Sequence, residues 1–136
     1  MSNSVSLIIP TYKEHDNIAP LMERIHQALH AFDYRVLLVD DDSNDGTAEL
    51  AASLSSKYPV DIFVRKNKRG LASAVVDGIA RATGDTVVVM DADLQHPPEV
   101  LPDLVLKIDE SADMAIASRY VPGGGCEGWG LARRIN

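Results

Sequence analysis

Short apolar segments alternate along this chain with stretches whose apolar residues recur at helical spacing. Unbroken hydrophobicity over roughly 4–8 residues is typical of strands that are buried on both faces of a parallel sheet. Such runs predict strands at Val5–Ile9, Arg35–Val39, Thr86–Met90 and Asp113–Ala117, with a weaker β-branched run at Val60–Val64. Amphipathic periodicity between them predicts helices at Ile18–Ala31, Thr47–Ser56, Leu71–Ala82 and Pro98–Glu110.

The order of these elements, β-α-β-α-β-α-β-α-β, predicts an α/β fold. We expect a mostly parallel sheet with helices on both faces, joined by right-handed crossovers. The first helix should follow Asp16 or Asn17 as its N-cap. The first strand should lie between the second and the fourth, because the reversal of strand order there opens a ligand crevice.

The composition is that of an acidic globular domain. The chain has 136 residues, a one-domain length, and a single cysteine, Cys126, which excludes an internal disulfide. Its formal net charge of −7 argues against a nucleic-acid partner, which would usually require a basic face. An acidic protein that binds a phosphorylated ligand needs a cation to bridge the two.

Acidic residues follow three of the predicted strands at their carboxyl ends. Glu14 comes after the first strand, Asp40-Asp41-Asp42 after the second, and Asp91-Ala92-Asp93 after the fourth. Ligands of open α/β sheets bind beyond these strand ends. We therefore expect a ligand site at this edge of the sheet.

The Asp91-Ala92-Asp93 segment has the chemistry of a divalent-cation site. Carboxylate oxygens suit hard ions such as Mg²⁺ or Mn²⁺, and Gln95 offers a neutral oxygen two residues later. Such an ion keeps positions for diphosphate oxygens and can stabilise a leaving diphosphate. The alternative is that these aspartates cap the helix predicted at Pro98.

The first two strand ends provide polar and aromatic groups for a nucleoside. A carboxylate in the Asp40–Asp42 run can accept hydrogen bonds from a base or a ribose, whereas Ser43–Gly46 is typical of a turn that leads into a helix. Tyr12 can cover a base, and Glu14 can accept a hydrogen bond from its edge. The alternative for Tyr12 and Glu14 is a solvent-facing turn.

Taken together, these segments resemble the inverting glycosyltransferases that have the GT-A fold. The resemblance is strongest to the branch of dolichol-phosphate mannosyltransferases and bacterial enzymes that act on undecaprenyl phosphate, and it covers almost the whole chain. The segments that carry it are Pro10-Thr11-Tyr12-Lys13-Glu14, Val39-Asp40-Asp41-Asp42-Ser43 with Asp45-Gly46-Thr47, Gly70-Leu71-Ala72-Ser73-Ala74, Met90-Asp91-Ala92-Asp93-Leu94-Gln95-His96-Pro97-Pro98-Glu99, and Ser118-Arg119-Tyr120.

The resemblance implies a nucleotide-diphospho-sugar transferase fold of Rossmann-like type and a role for each matching residue. Asp91, Asp93 and Gln95 would hold Mg²⁺ or Mn²⁺, with Ala92 against the nucleotide. Asp93 and Arg119 would be the catalytic residues, and Arg119 would contact phosphate. Residues that would complete the nucleotide-sugar site are Pro10, Tyr12, Glu14, Val39, Asp41 and Arg133.

The resemblance also implies the substrates, the domain organisation and the location. The donor would be GDP-mannose or a UDP-sugar, and the acceptor a polyprenyl phosphate at the cytoplasmic face of the membrane. A phosphate acceptor is already anionic and needs no general base, whereas a sugar hydroxyl would need one from outside this chain. Residues 1–120 would form the nucleotide-sugar-binding core. Residues 121–136 would form a flexible glycine-rich tail that leads to an acceptor-side part.

Two other classes of protein remain open from the sequence. Asp40-Asp41-Asp42 after an apolar strand resembles the acidic pocket of a two-component receiver domain, although a whole strand-helix unit precedes it here. A nucleotide-sugar sensor that binds without catalysis would carry the same motifs.

Overall fold

The structure, a computed structural model, describes residues 4–110 and 112–115. It consists of strands alternating with helices, with a short 3₁₀ helix at Pro98–Val100 before the last α-helix. The strands are β1 (Ser4–Thr11), β2 (Asp33–Asp40), β3 (Val60–Val64) and β4 (Thr86–Val89). The α-helices are α1 (His15–Leu29), α2 (Thr47–Leu54), α3 (Leu71–Arg81) and α4 (Leu101–Asp109).

The four strands form one parallel sheet in the order β3-β2-β1-β4. Leu7 at the middle of β1 is in register with Val36 of β2 on one side and with Val88 of β4 on the other. The α/β fold class and the position of β1 between the second and fourth strands are thus confirmed. The strand order reverses at β1, and a crevice is expected at that point.

Helices cover both faces of the sheet because successive side chains of a strand point to opposite faces. Leu7 and Ile9 of β1 belong to the larger hydrophobic core, which also contains the apolar face of α1 and buried residues of α2 and α4. Ile8 belongs to a smaller core on the other face, where it packs with Val39 and with Ala74 of α3. Alternate side chains of β1 therefore contribute to the hydrophobic cores on both faces of the sheet.

The first helix begins earlier than the sequence predicts. It starts at His15 with Glu14 as N-cap, and neither Asp16 nor Asn17 caps it. The N–H of Asn17 donates to the carbonyl of Glu14 at 2.9 Å, and its side-chain amide donates to the Glu14 carboxylate at 2.6 Å. Apolar periodicity starts only at Ile18, so it could not locate a polar first turn.

The fifth predicted strand is not found in the described part of the chain. Asp113, Met114 and Ala115 are not in a strand, and the remainder of the Asp113–Ala117 segment lies outside the described residues. The predicted tail at 121–136 also lies outside them. No helix within residues 4–110 and 112–115 is long and apolar enough to cross a membrane.

Candidate functional site

A cleft of about 270 Å³ opens at the carboxyl ends of β1, β2 and β4, on the side of the sheet that carries the N-terminus of α3. This volume is close to the lower end of the ~300–1,000 Å³ range of small-molecule sites. The structure therefore brings most of the predicted site residues together in one place. The lining residues are Pro10, Thr11, Tyr12, Glu14, Asp41, Leu71, Ala74, Asp91, Ala92 and Asp93.

The chain leaves the three strand ends through residues in the left-handed backbone region. Lys13 after β1 has φ 57°, Asp42 after β2 has φ 56°, and Leu94 after β4 has φ 65°. A non-glycine residue in a sparsely populated region of this kind costs on the order of 1–3 kcal/mol and is often found at functional sites. These turns give each loop a sharp change of direction next to the cleft.

Asp40, the first of the three successive aspartates, has a structural role. Its buried carboxylate accepts hydrogen bonds from the Thr11 hydroxyl at 2.7 Å and from the Ser43 amide and hydroxyl at 2.8 and 2.6 Å. It therefore ties the end of β1 to the loop after β2. Because the Asp40 carboxylate already accepts hydrogen bonds from three donors, it serves as an anchor between the two segments. Asp40 is not one of the residues that line the cleft.

Asp41, the second aspartate, lines the cleft but already has a cationic partner. Its Oδ1 atom accepts a hydrogen bond from Nε of Arg65 at 2.7 Å, and its Oδ2 atom accepts one from the Gly70 amide at 2.9 Å. Arg65 directly follows β3 and is not among the predicted site residues. Its sequence context, a basic residue next to Lys66 in a loop that also contains Lys68 and Arg69, offered no signal for this role.

The third aspartate and the turn that follows are more exposed. Asp42 forms an ion pair with Lys66 at 3.4 Å on the surface. Asp45 accepts a hydrogen bond from the Thr47 amide at 3.2 Å, at the first residue of α2. The prediction of a turn leading into a helix is therefore confirmed for Ser43–Gly46, and the three aspartates divide into an anchor, a cleft residue and a surface residue.

Tyr12 presents a partly exposed ring at the mouth of the cleft, with 41% of the residue accessible to solvent. The guanidinium carbon of Arg69 lies 5.0 Å from the ring centroid, and Nη1 of Arg69 donates to the Tyr12 hydroxyl at 3.2 Å. Glu14 lies on the same side and accepts from the Asn17 amide. An aromatic face and a carboxylate are thus available near the end of β1.

Asp91 and Asp93 line the cleft from β4, and they do not cap the following helix. The N-cap of the 3₁₀ helix is Pro97, and no side chain bonds to that helix start. Asp93 instead accepts the Gln95 amide at 3.0 Å, and the Asp91 carboxylate lies 3.8 Å from Nε2 of His96. Neither aspartate pairs with a lysine or arginine among the described residues.

This arrangement fits a divalent cation that is shared with a ligand. Residues 4–110 and 112–115 contain no group of three or more His, Cys, Asp or Glu side chains that could hold a metal by themselves. Mg²⁺ is typically held by one or two carboxylates plus substrate phosphates and water, without a complete protein cage. Two cleft carboxylates without a cationic side-chain partner match that chemistry.

Two of the predicted site residues, Val39 and Gln95, do not line the cleft, and two others lie outside the described residues. Val39 is fully buried in the smaller core beneath it, next to Ala74, and Gln95 is exposed just beyond Asp93. Arg119 and Arg133 lie outside the described residues. Their roles remain predictions.

A second cavity, of about 480 Å³, lies between β3 and α3. Its lining includes Lys66, Lys68, Arg81 and Arg65, and none of the predicted site residues. The cleft at the strand ends, although smaller, contains the carboxylates and the aromatic ring, so the chemistry favours the cleft.

Comparison with known proteins identifies the family of this chain. Residues 6–135 match the family described as glycosyl transferase family 2. The chain belongs to this family. Family membership and the sheet order decide against a receiver domain, whose sheet has the order 2-1-3-4-5.

Several family 2 relatives are similar over nearly the whole chain. The dolichol-phosphate mannosyltransferase of Pyrococcus furiosus is 53% identical over 131 residues, which cover 96% of this chain and 37% of that protein. The enzyme of the same name from Saccharomyces cerevisiae is 41% identical over 140 residues, which cover 99% of this chain and 52% of that protein. The chain thus spans between about a third and a half of the length of these relatives.

A solved structure shares the fold of the described residues. The mannosyltransferase PcManGT from Pyrobaculum calidifontis, in complex with GDP-Man and Mn²⁺, is 28% identical and aligns with a TM-score of 0.61. The alignment covers 68% of this chain and 28% of that one. The nucleotide-diphospho-sugar transferase fold, of the GT-A type, is confirmed.

Proposed function

We propose that this chain is the donor-binding part of a metal-dependent glycosyltransferase that moves a sugar from a nucleoside diphosphate to a polyprenyl phosphate. One observation carries the proposal. A single cleft at the carboxyl ends of the strands combines Tyr12 and Asp41 on one side with Asp91 and Asp93 on the other. An aromatic ring with an acceptor suits a nucleoside, and a pair of carboxylates suits a metal-bound diphosphate.

The relatives support a mannosyl donor. Two of the curated relatives bear the name dolichol-phosphate mannosyltransferase, and PcManGT was solved with GDP-Man. GDP-mannose is therefore the first donor to test, and a UDP-sugar is the second. The Tyr12 ring would cover the base, and Glu14 and Asp41 would accept hydrogen bonds from the nucleoside.

The metal would be Mg²⁺ or Mn²⁺, held by Asp91 and Asp93, with Gln95 as a further oxygen donor. When bound, such an ion stabilises the negative charge that develops on the leaving diphosphate. By holding the ion at the β4 end of the cleft, Asp91 and Asp93 would place the diphosphate end of the donor away from Tyr12. The high negative charge of the chain, −7, gives a second reason for a cation, because an anionic donor would otherwise meet an anionic surface.

The proposed acceptor is a polyprenyl phosphate at the cytoplasmic face of the membrane. A phosphate oxygen is anionic at neutral pH, so the reaction requires no base to deprotonate it. Arg119 and Arg133 would hold the phosphates near the reacting centre through charge-assisted hydrogen bonds.

Calorimetric titration of this chain with GDP and UDP, with Mn²⁺ and with EDTA, tests the proposal. We expect binding of one nucleotide in Mn²⁺ and a loss of affinity of at least about tenfold in EDTA, which corresponds to ~1.4 kcal/mol. Asp93→Asn should abolish the difference between Mn²⁺ and EDTA. Asp103→Asn changes an exposed carboxylate of α4 and is the matched control. Equal affinity in Mn²⁺ and EDTA would contradict the metal role.

A further inference from the structure

Arg65 is a buried arginine with every nitrogen of its guanidinium group engaged. Nε and Nη2 each lie 2.7 Å from Oδ1 of Asp41. Nη1 donates to the Ser73 hydroxyl at 2.9 Å and to Asp77 at 3.1 Å, and Nη2 donates to the Gly70 carbonyl at 3.1 Å. Only 1% of the side chain is accessible to solvent.

These contacts join the end of β3 to two elements that border the cleft, the loop after β2 and the start of α3. Asp41 stands at the end of β2, Gly70 is the N-cap of α3, and Ser73 and Asp77 lie on the first turns of α3. Arg65 itself follows β3, and its amide donates to the carbonyl of Asp40 at 2.8 Å. The guanidinium therefore determines how the start of α3, with the cleft residues Leu71 and Ala74, sits relative to β2.

The charges in this network compensate each other once Lys68 is included, because its Nζ atom forms an ion pair with Asp77 at 3.3 Å. Burial opposes the charge of Arg65, but hydrogen bonds to Asp41 and Asp77 outweigh that effect and raise its pKa above the usual value. The hydrogen bond from Arg65 lowers the pKa of Asp77. Arg65 and Asp77 thus stay ionised at neutral pH, and the guanidinium places a countercharge directly behind Asp41.

We infer that Arg65 is a positioning residue for the nucleoside half of the donor site. It does not line the cleft, but it holds both carboxylate oxygens of Asp41 in a fixed orientation, one directly and the other through the Gly70 amide. Asp41 then presents only its remaining lone pairs, as an acceptor, to N–H or O–H groups of a ligand. This inference rests on the proposed function for its ligand but not for its geometry.

The fixed orientation has a consequence that a purely structural ion pair would lack. Replacing the planar fork of five donors by the single ammonium of lysine keeps the charge but cannot satisfy Asp41, Ser73, Asp77 and Gly70 together. In a folded Arg65→Lys variant, Asp41 would turn and the Gly70 amide would lose its acceptor. A residue that only stabilised the fold would change the stability but would leave ligand affinity unchanged in the folded fraction.

Two measurements on this chain test the inference. The first is the affinity for GDP with Mn²⁺ by calorimetry, under conditions where circular dichroism shows each variant to be folded. The second is hydrogen exchange of the Gly70 amide by NMR, compared with that of β1 amides such as Leu7. Arg65→Lys should weaken nucleotide binding by roughly tenfold or more, since the loss of one hydrogen bond to a charged group typically has an effect of about that size. The Gly70 amide should exchange faster in this variant, while the β1 amides change little.

Two further variants accompany Arg65→Lys: Lys66→Met is the control, and Asp77→Asn is a second test of the same network. Lys66 is the neighbouring cation, with 73% of its side chain exposed and only a surface partner, so Lys66→Met should leave both measurements unchanged. Asp77→Asn weakens the outer contact of Nη1 and the ion pair of Asp77 with Lys68, but it leaves the contacts of Arg65 with Asp41 and Gly70 in place, so it should produce a smaller change in the same direction. It serves as the test if Arg65→Lys does not fold.

The outcomes separate this inference from the proposed function. If the parent chain binds no nucleotide in Mn²⁺, the proposed function fails, and Gly70 exchange alone decides the role of Arg65. Unchanged Gly70 exchange in Arg65→Lys, or in Asp77→Asn where the lysine variant is unfolded, overturns the inference. Faster exchange with unaltered nucleotide affinity also overturns it, because Asp41 would then move without consequence for the ligand.

Discussion

Gly78 lies at the closest approach of α3 to the sheet, and its replacement by alanine tests how tightly the two pack. A Cβ atom at this position would lie 2.3 Å from Cγ2 of Ile8 and 3.2 Å from Cγ2 of Val39. Carbon atoms in contact are normally about 3.5–4.0 Å apart. The helix or the Ile8 side chain would have to move by more than ~1 Å, and Ile8 is fully buried between α3 and the sheet.

The expected change in the free energy of unfolding is the difference between two opposing effects. Overpacking of a buried site costs typically about 1–3 kcal/mol. Alanine is favoured over glycine in the interior of a helix by roughly 0.5–1 kcal/mol, which offsets part of that cost. We therefore expect Gly78→Ala to lower the free energy of unfolding by about 1–2 kcal/mol. With a urea m-value of ~2 kcal/mol/M, the unfolding midpoint should fall by roughly 0.5–1 M.

Urea unfolding followed by circular dichroism measures this shift, with Ala80→Gly as the control for helix propensity. Ala80 is exposed on the same helix. Ala80→Gly therefore measures the difference in helix propensity between alanine and glycine without altering the contact of α3 with β1. Because α3 also carries Ser73 and Asp77, Gly78→Ala should in addition weaken nucleotide binding. A Gly78→Ala variant at least as stable as the parent would show that α3 does not pack on β1 at this distance.

Three further changes have expected outcomes. The hydrogen bond from Arg65 holds the pKa of Asp77 in the native state below its unfolded value. The contribution of Asp77 to the free energy of unfolding is therefore present above pH ~3.9 and declines as the pH falls through the native pKa. Asp77→Asn should make the free energy of unfolding, measured with urea between pH 3 and 7, fall less steeply toward acid pH. Glu99→Gln breaks the surface ion pair with Arg24 at 2.6 Å and should cost only about 0.2–1 kcal/mol in the same assay, so a larger loss would contradict its surface character. Asp93→Ala should leave the free energy of unfolding within about 0.5 kcal/mol of the parent, since Asp93 is a loop carboxylate, and a large loss of stability would argue for a structural role.

The sequence was sufficient for the fold because the hydrophobic pattern and the topology rules act together. Continuous apolar runs located all four strands, and the alternation of strands and helices implied parallel pairing with β1 in the centre. The predicted ends of helices and strands were less accurate where the terminal residues of an element are polar. The α1 helix starts at His15, three residues before its first buried position at Ile18, and β2 extends to the polar Asp33 and Asp40.

The site was predictable only as far as it follows from strand ends. Tyr12, Asp41 and Asp93 could be placed together because each follows a strand of one parallel sheet. Arg65 was not predicted, because its partners depend on how the β3–α3 loop folds back over β2, which no periodicity encodes. Basic residues in an exposed loop are usually solvated, and nothing in the local sequence separates Arg65 from its neighbour Lys66.

The electrostatics of the cleft give a reason for the proposed direction of the donor. Its four carboxylates belong to Glu14, Asp41, Asp91 and Asp93. Asp41 is already neutralised by Arg65, whereas neither Asp91 nor Asp93 has a lysine or arginine partner among the described residues. Of the three cleft carboxylates that lack a lysine or arginine partner among the described residues, two, Asp91 and Asp93, lie together at the β4 end, where a divalent cation would be most strongly attracted. A diphosphate would follow the cation to that end, which leaves the β1–β2 side, with the aromatic ring of Tyr12, for the uncharged base.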